Sequence, residues 1–402
     1  MAMAYPPSSN GDPGSPVKES ISPNRSPRKY SDANGSLGDS GAPATDRYGF
    51  LGGNQYTDPD AERRLPQETL RKRETKWLDM FINWDKWMSK RFKKVKERCR
   101  KGIPPSLRAR AWQHLCGSNF TMEQNKGVFE DYLKRQGDPK CIDDINKDLD
   151  RQFPLHEMFL SKGGVGQESL FEVLKAYSIH RPVEGYCQAQ APIAALLLMH
   201  MPVEQAFWCL VAICDKYLIG YYSLGLEAVQ LDGDVLFGLL KKSSPTVYKH
   251  MRNQNIEPIM YMTEWFMCVF TRTLPWTVVL RLWDQFLCEG VKVLFRVGLV
   301  LLKTALEGQE KLSQCPSFFD TLERLRFRNL PPEFQDEEYI FRESLRLGIT
   351  ERDMEKEHLK QIKRRKAARE AKEKEALSSS HGGSDVRRGH TGGADVRHKR
   401  RT

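Results

Sequence analysis

The chain has 402 residues, 40% of them hydrophobic, and a formal net charge of +11. That length can bury a sizeable core as one large domain with tails, while no run reaches the roughly 18 apolar residues of a membrane span and Met1 to Gly53, rich in Ser, Pro, Gly and Asp, does not read as a signal peptide. Nine cysteines, odd in number and without a C-x-x-C pair, argue against a zinc site or a disulfide framework and for a reducing compartment.

The charge is unevenly placed. Residues 71–101 hold 13 Lys/Arg against 4 Asp/Glu and residues 351–402 hold 16 against 9, whereas residues 102–350 hold 27 against 30. The presumed globular part is slightly acidic, and the basicity of its flanks speaks of attraction to an anionic surface.

Residues 1 to about 60 lack periodicity and cannot bury enough apolar surface to offset ordering entropy, so disorder is expected there. Ser15-Pro16, Ser22-Pro23 and Ser26-Pro27, beside Arg25, Arg28 and Lys29, fit proline-directed phosphorylation, a pattern that linker composition also produces. From Pro66 an amphipathic helix is predicted, with Leu70, Trp77, Leu78, Phe81, Trp84 and Met88 near one face. Its other face runs into Lys90, Arg91, Lys93, Lys94, Lys96 and Arg98, which suit either anionic lipid headgroups or plain solvation. Ser106 is expected to cap the next helix, with Ala109, Trp112 and Leu115 inward and Gly117 past its end.

The stretch Ile145-Asn146-Lys147-Asp148-Leu149-Asp150-Arg151-Gln152-Phe153-Pro154 follows. Ile145, Asp148 and Arg151 stand three apart, so on a helix they line one side and Asp148 can hold the Arg151 guanidinium. Pro154 ends the helix, which puts Arg151 in or near its last turn. Alone, such a pair most often reads as a solvated surface bridge. Ser161-Lys162-Gly163-Gly164-Val165-Gly166 matches no phosphate-binding pattern and is expected to be a mobile connection. Gly185-Tyr186-Cys187-Gln188 then places a neutral amide, Gln188, after a glycine turn at the mouth of an apolar helix. Cys187 reads as a packing residue, since no base lies at a recognisable local spacing.

Helices are predicted one after another from here: 192–201, 202–218, 226–241, 244–251, 259–270, 275–288 and 291–306, with Pro202, Pro245, Pro258 and Pro275 at starts and Gly290 and Gly308 at ends. Trp265, Trp276 and Trp283 are expected in the core. Strand alternation is absent, so the fold class is all-α. From Glu351 a charged helix with almost no apolar stripe is expected to protrude into solvent, and residues 378–402 to be disordered.

The spacing Ile-x-x-Asp-x-x-Arg followed by Tyr-x-Gln resembles the two signature motifs of the TBC-domain family, the GTPase-activating proteins for Rab GTPases. Further family marks stand in order: Gly102-Ile103-Pro104-Pro105-Ser106-Leu107-Arg108 with Trp112, and Leu282-Trp283-Asp284 with Phe286. Asp46-Arg47-Tyr48-Gly49-Phe50 and Arg98-Cys99-Arg100-Lys101 make the chain most similar to the carabin-like, ezrin-scaffold-associated branch. The resemblance covers roughly residues 46–345 and implies one large multi-helix TBC domain. With the periodicity it gives a tail at 1–65, a leading basic helix at 66–101, the TBC domain at 102–345, and a charged helix and tail at 346–402.

What the resemblance implies about chemistry is specific. Arg151 and Gln188 would act in trans on a GTP-bound Rab-family GTPase, Arg151 stabilising charge on the phosphoryl group and Gln188 orienting the attacking water. Asp148 would orient the arginine, and Ile145 and Tyr186 would fix the two backbones. No cofactor of its own is expected, GTP and Mg²⁺ belonging to the partner. Ala189-Gln190-Ala191 replaces the Gly-Met-Asn common after Tyr-x-Gln, which bears on which Rab fits. The branch often ends in a PDZ-binding tail, but His398-Lys399-Arg400-Arg401-Thr402 lacks a hydrophobic last residue, which speaks against that scaffold link. The expected place is the cytoplasm, with residues 71–101 as a peripheral contact to plasma or endosomal membrane. A non-catalytic helical scaffold for Rabs or cytoskeletal linkers is the alternative. Nucleic acid is not an expected partner, because the core is acidic and no RNA-binding module signature is present.

Overall fold

Prolines and glycines set the boundaries of this molecule. The computed structural model describes residues 45–51, 65–328 and 330–381. Among them are α-helices and isolated bridges (Thr45 with Leu51, Phe50 with His156) but no strand, as the patterning predicts.

The leading basic segment is three helices rather than one: α1 (Gln67–Ile82), α2 (Trp84–Lys90) and α3 (Phe92–Arg100). The chain leaves helical geometry at Asn83 and Arg91, which lets Trp77, Phe81 and Trp87 all reach the core while Leu78 and Ile82 stay exposed. The cap expected at Ser106 is absent. Ser106 lies in a 3₁₀ turn, its hydroxyl donates to Glu74, and α4 (Arg108–Cys116) starts without a side-chain cap. Gly117 ends α4 at φ +76°, a left-handed position that suits glycine.

Then come α5 (Ser118–Gln124), α6 (Val128–Lys134), α7 (Pro139–Leu149), α8 (Val165–His180), α9 (Gln190–Leu198) and α10 (Val203–Lys216). Every residue of α9 is buried, and it packs against both α8 and α10, as expected of a helix apolar all round. The chain continues through α11 (Glu227–Ser243), α12 (Pro245–Asn253), α13 (Ile259–Met267), α14 (Trp276–Glu289), α15 (Lys292–Leu306), α16 (Gln309–Ser313), α17 (Phe318–Leu325), α18 (Glu337–Arg346) and α19 (Glu351–His381). Pro245 stands in the first turn of α12, and Pro202, Pro258 and Pro275 immediately precede α10, α13 and α14. Trp265, Trp276 and Trp283 are in the core, as predicted. No helix among the described residues is long and apolar enough to cross a membrane.

Asp284 on α14 organises the entry to the domain. Fully buried, it accepts from the Ile103 N–H (2.7 Å), Trp112 Nε1 (2.8 Å) and Arg108 Nε (3.2 Å). The Gly-Ile-Pro and Leu-Trp-Asp motifs therefore form a single buried knot. One turn further on, Glu289 takes both Arg100 Nε (2.6 Å) and Nη2 (2.7 Å), with Lys96 at 3.2 Å and Arg296 at 3.5 Å. Part of the basic flank is thus spent inside the fold.

The charged C-terminal helix does not stand free. Along its first half α19 packs on α11, burying Met354, His358 and Gln361. Ion pairs Arg365–Asp234 (2.7 Å), Lys242–Asp353 (2.6 Å) and Arg369–Glu227 (2.6 Å) join the two helices. An interface made chiefly of charges carries no apolar stripe, which is why periodicity misses it. The Ser-Pro sites and residues 382–402 lie outside the described residues.

Candidate functional site

α7 is started by Asp138, whose side chain accepts from the Cys141 N–H at 2.9 Å, with Pro139 in the first turn. It stops at Leu149, so Arg151 stands two residues past the helix, its N–H still donating to the Asp148 carbonyl (3.3 Å). Phe153, at φ +41°, and Pro154 then turn the chain away. Ile145 is fully buried and seats α7 on the core.

Asp148 is 3% exposed, so this is not the solvated pair that spacing alone suggests. Arg151 Nη2 donates to one carboxylate oxygen, Oδ1, and the Tyr186 hydroxyl donates to the other, Oδ2, at 2.6 Å. Burial pushes the Tyr186 phenol well above its ordinary range, which keeps the proton on it for donation. The Arg151 side chain remains 41% exposed. Its base is fixed and its head is accessible.

Tyr186 leads directly to Gln188. Gly185 turns at φ +63°, and a Cβ there would meet Cys141 Sγ of α7 at 3.1 Å, so the loop runs close against the helix that ends in the arginine. Gln188 is exposed in the turn ahead of α9, its carbonyl accepting from the Ala191 N–H at 3.3 Å. Gln190, wholly buried, accepts from the Cys187 N–H at 3.0 Å and fixes the backbone just before Gln188. Sequence reading missed that role; the one signal is an amide opening an otherwise apolar helix. Burial raises the Cys187 thiol, as suits a packing residue and not a nucleophile.

The Gly-rich stretch, expected as a mobile connection, is braced. Gln167 accepts from the Gly163 N–H (2.9 Å) and donates to the Phe159 carbonyl (3.2 Å), and Lys162 pairs with Asp150 (2.8 Å), next to Arg151. Gly166 is obligatory, since a Cβ would come within 1.9 Å of the Met158 carbonyl oxygen. Leu160 and Val183, at 52% and 85% exposure, stand on the connections before and after α8, and Val165, at 78%, opens that helix. Arg, Gln and exposed apolar side chains are thus presented at the ends of α7, α8 and α9.

A family model described as the Rab-GTPase-TBC domain matches residues 105–309. The chain is 59% identical over 320 residues to human TBC1 domain family member 10B, covering 80% of this chain and 39% of that protein. It therefore spans about two-fifths of that relative's length. Carabin of mouse is 50% identical over 315 residues, covering 78% of this chain and 69% of Carabin. Among solved structures, the Chlamydomonas flagellar RabGAP TBC domain superposes with a TM-score of 0.57 at 26% identity, covering 75% of this chain and 99% of that one.

Proposed function

Because this chain belongs to the Rab-GTPase-TBC domain family, in its carabin-like branch, we propose that it is a GTPase-activating protein that inserts Arg151 and Gln188 into the active site of a GTP-loaded Rab-family GTPase. The observation that carries this is the shared carboxylate: Asp148 holds Arg151 on one oxygen and Tyr186, two residues before Gln188, on the other. One buried acid ties the segment that carries Arg151 to the segment that carries Gln188.

In phosphoryl transfer, charge is spread over the equatorial oxygens, and catalysis is mostly positioning and electrostatics. The Arg151 guanidinium donates to phosphoryl and leaving oxygens as charge develops, never losing its own charge. The Gln188 carboxamide accepts from the attacking water and donates toward the phosphate. Ile145 and Tyr186 hold the two backbones, and GTP and Mg²⁺ arrive with the partner. Leu160, Val165 and Val183 supply apolar contact around the site. The work of such an activator is regulation of vesicle traffic, from the cytoplasm and at membrane surfaces where Rabs reside.

The test is single-turnover phosphate release from a panel of GTP-loaded Rab-family GTPases, with wild type and Arg151→Ala. Acceleration by wild type of at least one member, lost in Arg151→Ala, is expected. Binding without acceleration across the whole panel would favour a non-catalytic scaffold instead.

A further inference from the structure

Residues 45–51 lie outside the stretch matched by the family model, yet they fold onto the chain immediately after Arg151. The segment closes on itself: Asp46 Oδ1 accepts from the N–H groups of Tyr48 (2.8 Å) and Phe50 (2.9 Å). It is then stitched to the arginine loop from both sides. The Leu51 N–H donates to the Leu155 carbonyl (2.8 Å), and the Glu157 N–H to the Gly49 carbonyl (2.8 Å). His156 Nε2 donates to the Tyr48 carbonyl at 2.8 Å, across 108 positions of sequence.

Phe50 completes the attachment. Its ring is 2% exposed and meets His156, Trp276 and Phe153 edge-on, with centroids at 4.9, 5.1 and 6.2 Å. Gly49 sits at φ +88°, and a Cβ there would meet His156 Nε2 at 2.8 Å and Glu157 Oε1 at 2.9 Å, so only glycine lets the segment lie this close.

The loop needs such support. Phe153, two residues after Arg151, holds a left-handed backbone that a bulky residue rarely adopts, and Pro154 has no N–H to anchor the turn. Its ring is pinned between Phe50 and Trp276, the latter at 5.6 Å. We infer that Asp46–Leu51 is a positioning clip for Arg151, with Phe50 and the Asp46 turn holding the loop from which the guanidinium projects. This rests on the reading of Arg151 as the inserted cation.

The experiment is single-turnover phosphate release from a responsive GTP-loaded Rab-family GTPase, using the full chain over a range of activator concentrations. Phe50→Ala removes the ring; Asp46→Ala loosens the turn without removing any core atom. Phe334→Ala, equally buried but packed against Phe327 and Tyr339, is the control. Each is made with Arg151 and with Arg151→Ala, and assayed well below its Tm. Misplacing a catalytic group by an ångström costs up to about 100-fold. Phe50→Ala should accordingly lower the maximal rate about tenfold and Asp46→Ala by less, with the half-saturating concentration within about twofold. Phe334→Ala should lower Tm alone. With Arg151→Ala already present, Phe50→Ala should cost nothing more, because the group it positions is gone. Maximal rates within about twofold of wild type for both clip variants, or an equal loss with and without Arg151, would overturn the clip. Should Phe50→Ala fail to fold, Asp46→Ala decides. Full activity of Arg151→Ala itself would sink the finger reading and the clip with it, whereas an inactive Arg151→Ala beside fully active clip variants sinks the clip alone.

Discussion

The Tyr186 hydroxyl donates to Asp148 Oδ2 at 2.6 Å, and that bond joins two motifs 38 residues apart. Asp148 is buried and its other oxygen is taken by Arg151, so each contact braces the other. Tyr186→Phe keeps the ring and deletes only the hydroxyl. It leaves a buried carboxylate oxygen short of a donor, at about 1–3 kcal/mol. We expect a lower single-turnover rate with little change in half-saturating concentration, and a modest drop in Tm. A Tyr186→Phe protein with wild-type rate and unchanged Tm would remove the coupling.

The two inserted residues should differ in kind. An arginine supplied in trans is worth about 10³–10⁵ in rate, so Arg151→Ala should nearly abolish stimulated hydrolysis while staying folded, with only a modest drop in Tm from the donor that buried Asp148 loses. Arg151→Lys keeps charge but not the planar fork and should recover only a small part. Gln188→Ala should also be severe, and the double variant less than the sum, since both act in one transition state. Binding to the GTP-loaded partner should survive better than turnover. Arg151→Ala still accelerating hydrolysis to within about tenfold of wild type would refute the assignment.

Much of the fold is legible because it is punctuated by Pro and Gly and patterned by apolar spacing. What is not legible depends on distance or on polarity. The Asp148–Arg151 pair can be read from its i,i+3 spacing, but nothing local announces that Tyr186 supplies the second partner, or that Phe50 packs beside Phe153. The docking of α19 through Arg365–Asp234 and Lys242–Asp353 leaves no periodic signature. The breaks at Asn83 and Arg91 fall within an unbroken amphipathic pattern, and only the core to which Trp77 and Trp87 must turn explains them.

Core assignments give a sharp stability test. Trp283→Ala should cost about 3–5 kcal/mol through the cavity it leaves. Asp284→Ala should cost a similar amount, about 3–5 kcal/mol, because Arg108, itself 8% exposed, would be left buried without its carboxylate. Urea midpoints should fall with unchanged m-values. A soluble, fully helical Trp283→Ala protein lacking only partner binding would place that tryptophan at an interface instead.

The basic flank should govern location and not chemistry. Lys96 and Arg100 are engaged with Glu289, and Arg91 and Arg98 stack on the Trp87 ring, whereas Arg71, Lys76 and Lys101 stand exposed, as do Lys86, Lys90 and Lys93 of α2 and α3. Reversing Lys86, Lys90 and Lys93 to Glu should weaken binding to anionic liposomes by about 1 kcal/mol per charge, with turnover on a soluble GTPase nearly unchanged. Lys96→Glu, by contrast, should lower Tm, placing a negative charge beside buried Glu289. Liposome binding that ignores the triple reversal would show that the lipid contact lies elsewhere.

Acid should destabilise this protein before its ordinary carboxylates titrate. Six histidines, His114, His156, His180, His200, His250 and His358, are all lowered from their usual range, in each case chiefly by burial. His200 is held at about 4, by burial and by Arg108 nearby. His156 is bonded as a neutral ring, Nε2 donating to the Tyr48 carbonyl and Nδ1 accepting from the Met158 N–H at 3.1 Å. Above about pH 6.5 these imidazoles are neutral in both folded and unfolded chains. Below it the unfolded chain takes up protons that the native state resists, so stability falls with pH, down to about 4 for His200. Asp284 and Glu337, pushed up by burial, work the other way but are two against six. Melts should therefore show a nearly level Tm between pH 8 and 7 and a progressive decline from pH 6.5 to 5, made shallower by His200→Gln, which cannot take up a proton. A Tm that holds level or rises over that interval would mean that the native imidazoles accept protons without penalty, and that the His156 contact with the Tyr48 segment does not depend on a neutral ring.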